Sequence, residues 1–168
     1  MKTVLLMRHA KSSWKNTEIE DHERPLNKRG EKDAPMMGSL IREKKVVPQL
    51  ILCSSALRAR LTAEAMIKAA KYKKEIEYLD KFYLAEAQVY LEALQNLPDD
   101  LDSVMIIAHN PGLEGLLQIL SRKVEPLPTA AIAKLELPIE HWQDLRNETE
   151  GKLVKLWLPK DLKEKRKK

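Results

Sequence analysis

The 168-residue chain contains one cysteine, five glycines and eight aromatic residues, and each scarcity closes off a class of protein. A single thiol, Cys53 in the apolar run QLILCS, rules out an internal disulfide and reads as a buried side chain. Five glycines leave little room for a phosphate-cradling loop, and neither GxxxxGKS/T nor GxGxxG occurs. The few aromatic residues form no RNA-binding motif. No apolar run reaches the roughly 18 residues of a membrane span. The first residues carry one lysine and a short apolar stretch without a small-residue cleavage site, so no signal peptide is expected. Four histidines, His9, His22, His109 and His141, lack the i, i+4 spacing of a zinc helix, and no cysteine cluster accompanies them. The expectation is a cytoplasmic protein that needs no metal or cofactor and engages neither nucleic acid nor membrane.

Composition points the same way. Hydrophobic residues make up 43% and charged residues 33% of the chain, which excludes a disordered polypeptide and suits a single folded unit. The net charge of +5 is mostly terminal. Residues 160–168, KDLKEKRKK, hold six basic and two acidic residues, so residues 1–159 are left with a net +1. The expected organisation is one domain over 1–159 followed by a solvated, frayed basic tail over 160–168.

Strand and helix patterns alternate through the chain. TVLLM, QLILCS and SVMIIAH read as strands buried on both faces, and EIEYL as a shorter one. Helices are expected over NKRGEKDAPMMGSLIREKK, after a Gly, over SALRARLTAEAMIKAAKYK with Ser54 or Ser55 as N-cap, and over AQVYLEALQNL, ended by Pro98. A further helix over NPGLEGLLQILS takes Asn110 as N-cap and Pro111 at its first position. AAIAKLEL and GKLVKLWL nearly alternate and look like a hairpin-like pair of strands. Alternating strands and helices imply an α/β fold in three layers, a mainly parallel sheet covered on both faces.

Polar residues follow the three strongest strands at once. TVLLM is followed by Arg8 and His9, QLILCS ends at Ser54 with Arg58 shortly beyond, and SVMIIAH leads to His109 and Asn110. In an open α/β sheet the carboxyl ends of strands face the ligand crevice. If the three strands are neighbours, two arginines, two histidines and two helix N-termini converge there. That set suits a tetrahedral dianion: guanidinium forks match phosphate oxygens, and helix N-termini offer N–H groups and a positive dipole end.

RHAKSSW, RPLNKRG, SSALRARLTAE and AHNPGLE, in that order, resemble the histidine phosphatase superfamily, and in particular its small SixA-type phosphohistidine phosphatases. LPTAAIAKLEL, the HW pair and LVKLWLPKDL extend the likeness over nearly the whole chain up to the basic tail. The resemblance implies a phosphoglycerate-mutase-like fold and a covalent phosphohistidine intermediate. The family's nucleophile corresponds to His9, its phosphate-binding arginines to Arg8 and Arg58, and its second active-site histidine to His109. Arg24 corresponds to a basic group of the RPL loop, or is a surface residue before Pro25. Ser54 matches the first serine of an SPxxR-type motif, whose proline is Ser55 here. Asn110 either caps its helix or contacts substrate.

The carboxylic acid that larger superfamily members place near the leaving group has no clear counterpart. Glu86 is the nearest candidate, and its usual position is held by a non-acid. The expected function is a metal-independent phosphatase acting on phosphohistidine in proteins and releasing phosphate. A small-molecule phosphomonoesterase, a mutase, or a non-catalytic phosphate-anchored binding module are the alternatives.

Overall fold

The structure is a computed structural model describing residues 1–167; the last residue of the basic tail, Lys168, lies outside the described residues. Six strands, β1 (Lys2–Arg8), β2 (Leu50–Ser54), β3 (Ile76–Leu79), β4 (Ser103–Ala108), β5 (Ile132–Leu137) and β6 (Lys152–Trp157), form one sheet in the order β3-β2-β4-β1-β5-β6. Strands β3, β2, β4 and β1 are parallel. Strand β5 runs antiparallel to β1 and β6 antiparallel to β5, the hairpin-like pair expected from their alternation. The strands that carry Arg8, Ser54 and Ala108 at their carboxyl ends are therefore immediate neighbours.

Successive residues of the central strands supply two cores. Val4, Leu6, Leu52, Val104 and Ile106 pack on one face with α3 (Ala87–Gln95) and α4 (Gly112–Ser121). Leu5, Met7, Ile51, Met105 and Ile107 pack on the other with α1 (Lys28–Glu43) and α2 (Leu57–Ala70). Cys53 sits in this second core, and burial pushes its thiol pKa up, making it unreactive.

Helix α1 lies within the stretch NKRGEKDAPMMGSLIREKK expected to be helical. Asn27 caps it by accepting from the Gly30 amide at 2.9 Å, so Gly30 lies inside the helix rather than before it. A Cβ at Gly30 would collide with the Lys11 carbonyl, so glycine lets the helix approach the segment that leaves β1. Pro35 and Gly30 together cost about 4 kcal/mol of helix propensity. Burial of Met37, Leu40 and Ile41 contributes about 1.5–3 kcal/mol each and outweighs it.

The basic segment is not a frayed end. Residues Pro159–Arg166 form α5, with Leu162 packed against the second core. Lys163 Nζ lies 2.7 Å from Oδ1 of the fully buried Asp33 on α1, and Arg29 approaches the other oxygen at 3.4 Å. A buried carboxylate left unpaired would cost several kcal/mol, so this contact fixes α5 to the body.

Candidate active site

Beyond the carboxyl edge of the sheet lies a cavity of about 370 Å³. Arg8, His9, Arg58 and His109 all line it, with Arg24 and Asn110. Short backbone links hold the base together. The His9 amide donates to the Ala108 carbonyl at 3.1 Å, and the Ala130 amide donates back to Arg8 and His9. Thr62, one turn beyond Arg58, accepts from the Ala10 amide at 2.9 Å and donates to the Arg58 carbonyl at 2.7 Å. It locks the start of α2 to the segment leaving β1.

His9 is 7% exposed, and its Nδ1 lies 2.8 Å from the carbonyl of Ala10. A carbonyl only accepts, so Nδ1 carries the ring proton and Nε2 keeps its lone pair. Burial is the main cause that lowers the His9 pKa to about 4, with Arg58, Arg8 and Arg24 adding to it. Like-charge repulsion, the cause expected from the flanking arginines, comes second to desolvation. The ring of His109 lies 5.1 Å from that of His9. Burial, then His9 and Arg58, lowers its pKa to about 3. Both rings are neutral at pH 7.

Ser54 does not cap α2. Ala56 takes the N-cap position without a side-chain bond, and the Ser54 hydroxyl lies 2.7 Å from His109 Nε2 while accepting from the Ala56 amide. His109 Nδ1 has no hydrogen-bond partner among the described residues. Ser54 stands behind His109 rather than in the cavity wall. Asn110 does not cap α4 either. The helix starts at Gly112 after a cis Asn110–Pro111 peptide, and Asn110 Nδ2 donates to Leu127 O at 2.9 Å. The same carbonyl accepts from Arg8 at 3.1 Å, and Glu114 on α4 accepts the Leu127 amide at 2.7 Å. Asn110 and Glu114 thereby shape the loop that positions Arg8. Glu86 is exposed at the start of α3 and is not part of the cavity lining.

Asp21 is the residue that sequence reasoning missed. It lies in a short 3-10 turn, Asp21–Glu23, and lines the cavity. Its carboxylate accepts from Tyr83 Oη, Arg24 Nε (3.0 Å) and Arg58 Nη2 (3.0 Å), and its carbonyl from Arg58 Nη1 (2.8 Å). The Tyr83 hydroxyl first, then the two guanidinium groups, hold its carboxyl well below the usual carboxylate range. It is ionised, and it orients Arg24 and Arg58 without neutralising the whole cluster. Arg24 also donates to Ser12 Oγ at 2.6 Å and lies 3.6 Å from the centre of the Trp14 ring. His22 and His141 serve elsewhere: His22 contacts Ser55 and Glu23 at the surface, and His141 pairs with Asp99.

Electrostatically the base of the cavity is cationic, with two neutral imidazoles between guanidinium groups. The side-chain Nε atoms of Arg8 and Arg58 and Nδ1 of His109 are buried without hydrogen-bond partners among the described residues. The guanidinium groups of Arg8, Arg24 and Arg58 that line the cavity suit an oxyanion. Among the described residues no group of three or more His, Cys, Asp or Glu side chains is arranged to hold a metal ion.

Sheet order, helix placement and cavity define an α/β protein of the phosphoglycerate-mutase-like fold with a site suited to a phosphoryl group. Residues 4–89 match the histidine phosphatase superfamily (branch 1). An uncharacterized chloroplastic protein of Arabidopsis thaliana is 32% identical over 150 residues, 84% of this chain and 69% of its own length. The crystal structure of the Agrobacterium tumefaciens protein assigned as phosphohistidine phosphatase SixA superposes with a TM-score of 0.81 at 28% identity, covering 94% of this chain and 98% of that one. A protein histidine phosphatase SixA complexed with tungstate has the same fold, with a TM-score of 0.81 at 24% identity over 95% of this chain and 99% of its own. The chain belongs to the histidine phosphatase superfamily.

Proposed function

We propose that the protein is a metal-independent phosphatase that works through a phosphohistidine on His9 and acts on phosphohistidine in proteins. The observation that carries this reading is the His9 ring: Nδ1 is committed to Ala10 O, so the Nε2 lone pair is the nucleophile, in a cavity walled by Arg8, Arg58 and His109. Nε2 attacks phosphorus, a new N–P bond forms, and the bond to the leaving group breaks with its electron pair. The guanidinium groups and His109 stabilise charge on the equatorial oxygens, which is the largest expected catalytic contribution. Water then attacks the phosphohistidine, the N–P bond breaks, and inorganic phosphate departs with His9 neutral again.

Leaving-group chemistry favours phosphohistidine as substrate. Asp21 is the carboxylate in the cavity lining, and it is ionised and committed to Arg24, Arg58 and Tyr83, so it has no proton to donate. An alkoxide needs such a proton to depart. A phosphorylated imidazole protonated on its distal nitrogen departs as neutral imidazole and does not. The test compares a phosphohistidine protein with a phosphoserine peptide in the presence of chelator. A preference of about a hundredfold or more for phosphohistidine is expected, the low end of what general acid catalysis contributes. Equal turnover of the two substrates would overturn the reading.

A further inference from the structure

The cavity changes character between base and lip. At the base His9, Arg58 and His109 are between 1% and 7% exposed. At the lip stand Trp14, 68% exposed, and Leu84, 56% exposed, both lining the same cavity. Single exposed apolar residues need no explanation. Two large ones at the mouth of one otherwise polar cavity do.

Both are held there. The guanidinium of Arg24 stacks on the Trp14 ring, and Arg24 is itself tied to Asp21 and Ser12. Leu84 has a left-handed backbone, φ 48°, which disfavours a side-chain-bearing residue by about 1–2 kcal/mol. Its neighbour Tyr83 is anchored on Asp21, and the Ala85 carbonyl on its other side packs so close to Gly112 that no Cβ would fit there. Such strain persists only where the surroundings dictate it. It keeps an apolar side chain directed at the lip, where a glycine or asparagine would satisfy the backbone more cheaply.

We infer that Trp14 and Leu84 form a leaving-group subsite that takes a flat ring, imidazole or phenyl, carried on the phosphoryl group bound below. The inference rests on the base of the cavity being the phosphoryl site. Displacement at phosphorus is in line, so a leaving group opposite the buried His9 projects outward toward the lip. A smaller cavity of about 230 Å³ adjoins it and shares Trp14, Asp21 and Arg24 as walls, so the outward path is not blocked on the Trp14 side. Arg24 covers one face of the indole; the other, in a side chain 68% exposed, is open to a planar ring, and a leucine side chain packs against the same ring without demanding a polar partner.

Calorimetric titration with two non-hydrolysable probes, phenylphosphonate and methylphosphonate, tests the subsite on the whole protein. The wild-type protein is expected to bind phenylphosphonate about five- to tenfold more tightly, the range of one aromatic contact. Trp14→Ala should bring that ratio close to one, Trp14→Phe should restore most of it, and Leu84→Gly, which relieves the backbone, should lower it by about threefold. Inorganic phosphate should bind each variant within about threefold of wild type, since exposed groups at the lip leave the buried donors in place. Equal binding of the two probes by wild type, or a uniform loss of all three ligands in Trp14→Ala, would overturn the subsite and leave Trp14 as a prop for Arg24. Because binding is read without turnover, a phenyl preference in a protein that hydrolyses nothing supports the subsite and overturns the phosphatase reading instead.

Discussion

The two ends of the sheet each bury a cation, and they treat it in opposite ways. At the amino end Lys2, 2% exposed, donates to the carbonyls of Asp99 and Leu101 and to the Asp102 carboxylate at 2.7, 3.0 and 3.1 Å. Its three N–H donors meet three acceptors, and it lies 5.7 Å from the ring of the fully buried Trp142. At the carboxyl end Arg58, 3% exposed, uses two of its nitrogens on Asp21 and leaves Nε without a partner among the described residues. Arg8 Nε and His109 Nδ1 are likewise buried without a partner among the described residues. A buried donor without a partner costs about 1–3 kcal/mol. The Lys2 end is a structural pin with each donor paired, whereas the Arg58 end keeps guanidinium groups at the wall of a cavity.

Substitution at the two ends should separate these roles. Arg58→Ala is expected to lower kcat/KM by about two to three orders of magnitude, the loss typical of one transition-state donor, measured by steady-state phosphate release. It should cost less stability than Lys2→Met, which removes three hydrogen bonds of a buried ammonium and should remove about 1–3 kcal/mol with kcat unchanged. Thermal melts check this, since each kcal/mol shifts the midpoint by about 2–4 °C in a chain of this size. The comparison breaks if Lys2→Met lowers kcat or Arg58→Ala unfolds the protein.

Acid should also act selectively on the carboxyl end. His9 and His109 titrate at about 4 and about 3 in the folded protein, against roughly 6.5 in the unfolded chain. As the pH falls below about 6.5 the unfolded chain binds protons that the folded protein refuses, so unfolding is favoured. Stability is insensitive to these two groups above that pH and falls with pH until the folded rings themselves take up protons at about 4 and about 3. His9→Ala should make the decline shallower, as seen in melts across pH 4–7. The smallest effect is expected at Glu86→Gln, which should change phosphohistidine hydrolysis by less than about twofold, because an acid that supplies the leaving-group proton is worth about a hundredfold or more.

Much of this was legible in the sequence where the cause is local. The buried strands declare themselves as apolar runs followed by Arg8 and His9, Ser54, and His109; that they are neighbours in the sheet is what the structure adds. Capping assignments failed because the same side chains had stronger partners far along the chain: Ser54 meets His109, and Asn110 meets Leu127. Asp21 and Tyr83 were invisible for the same reason, since Asp21 bonds Tyr83 across 62 positions and Arg58 across 37. Lys2 reads as an ordinary N-terminal lysine until the sheet forms over it. In the basic tail one leucine among charges conceals a packed helix, and its partner Asp33 lies 130 residues away.

The most direct test of the account is to identify the covalent species. Wild-type protein mixed with substrate and quenched during turnover should carry a phosphoryl group that is labile in acid and stable in base, and peptide mapping should place it on His9. His9→Ala should fold, bind inorganic phosphate and show neither the adduct nor turnover. Turnover without any trapped adduct in the wild type, or an adduct on His109 or a serine, would contradict the account.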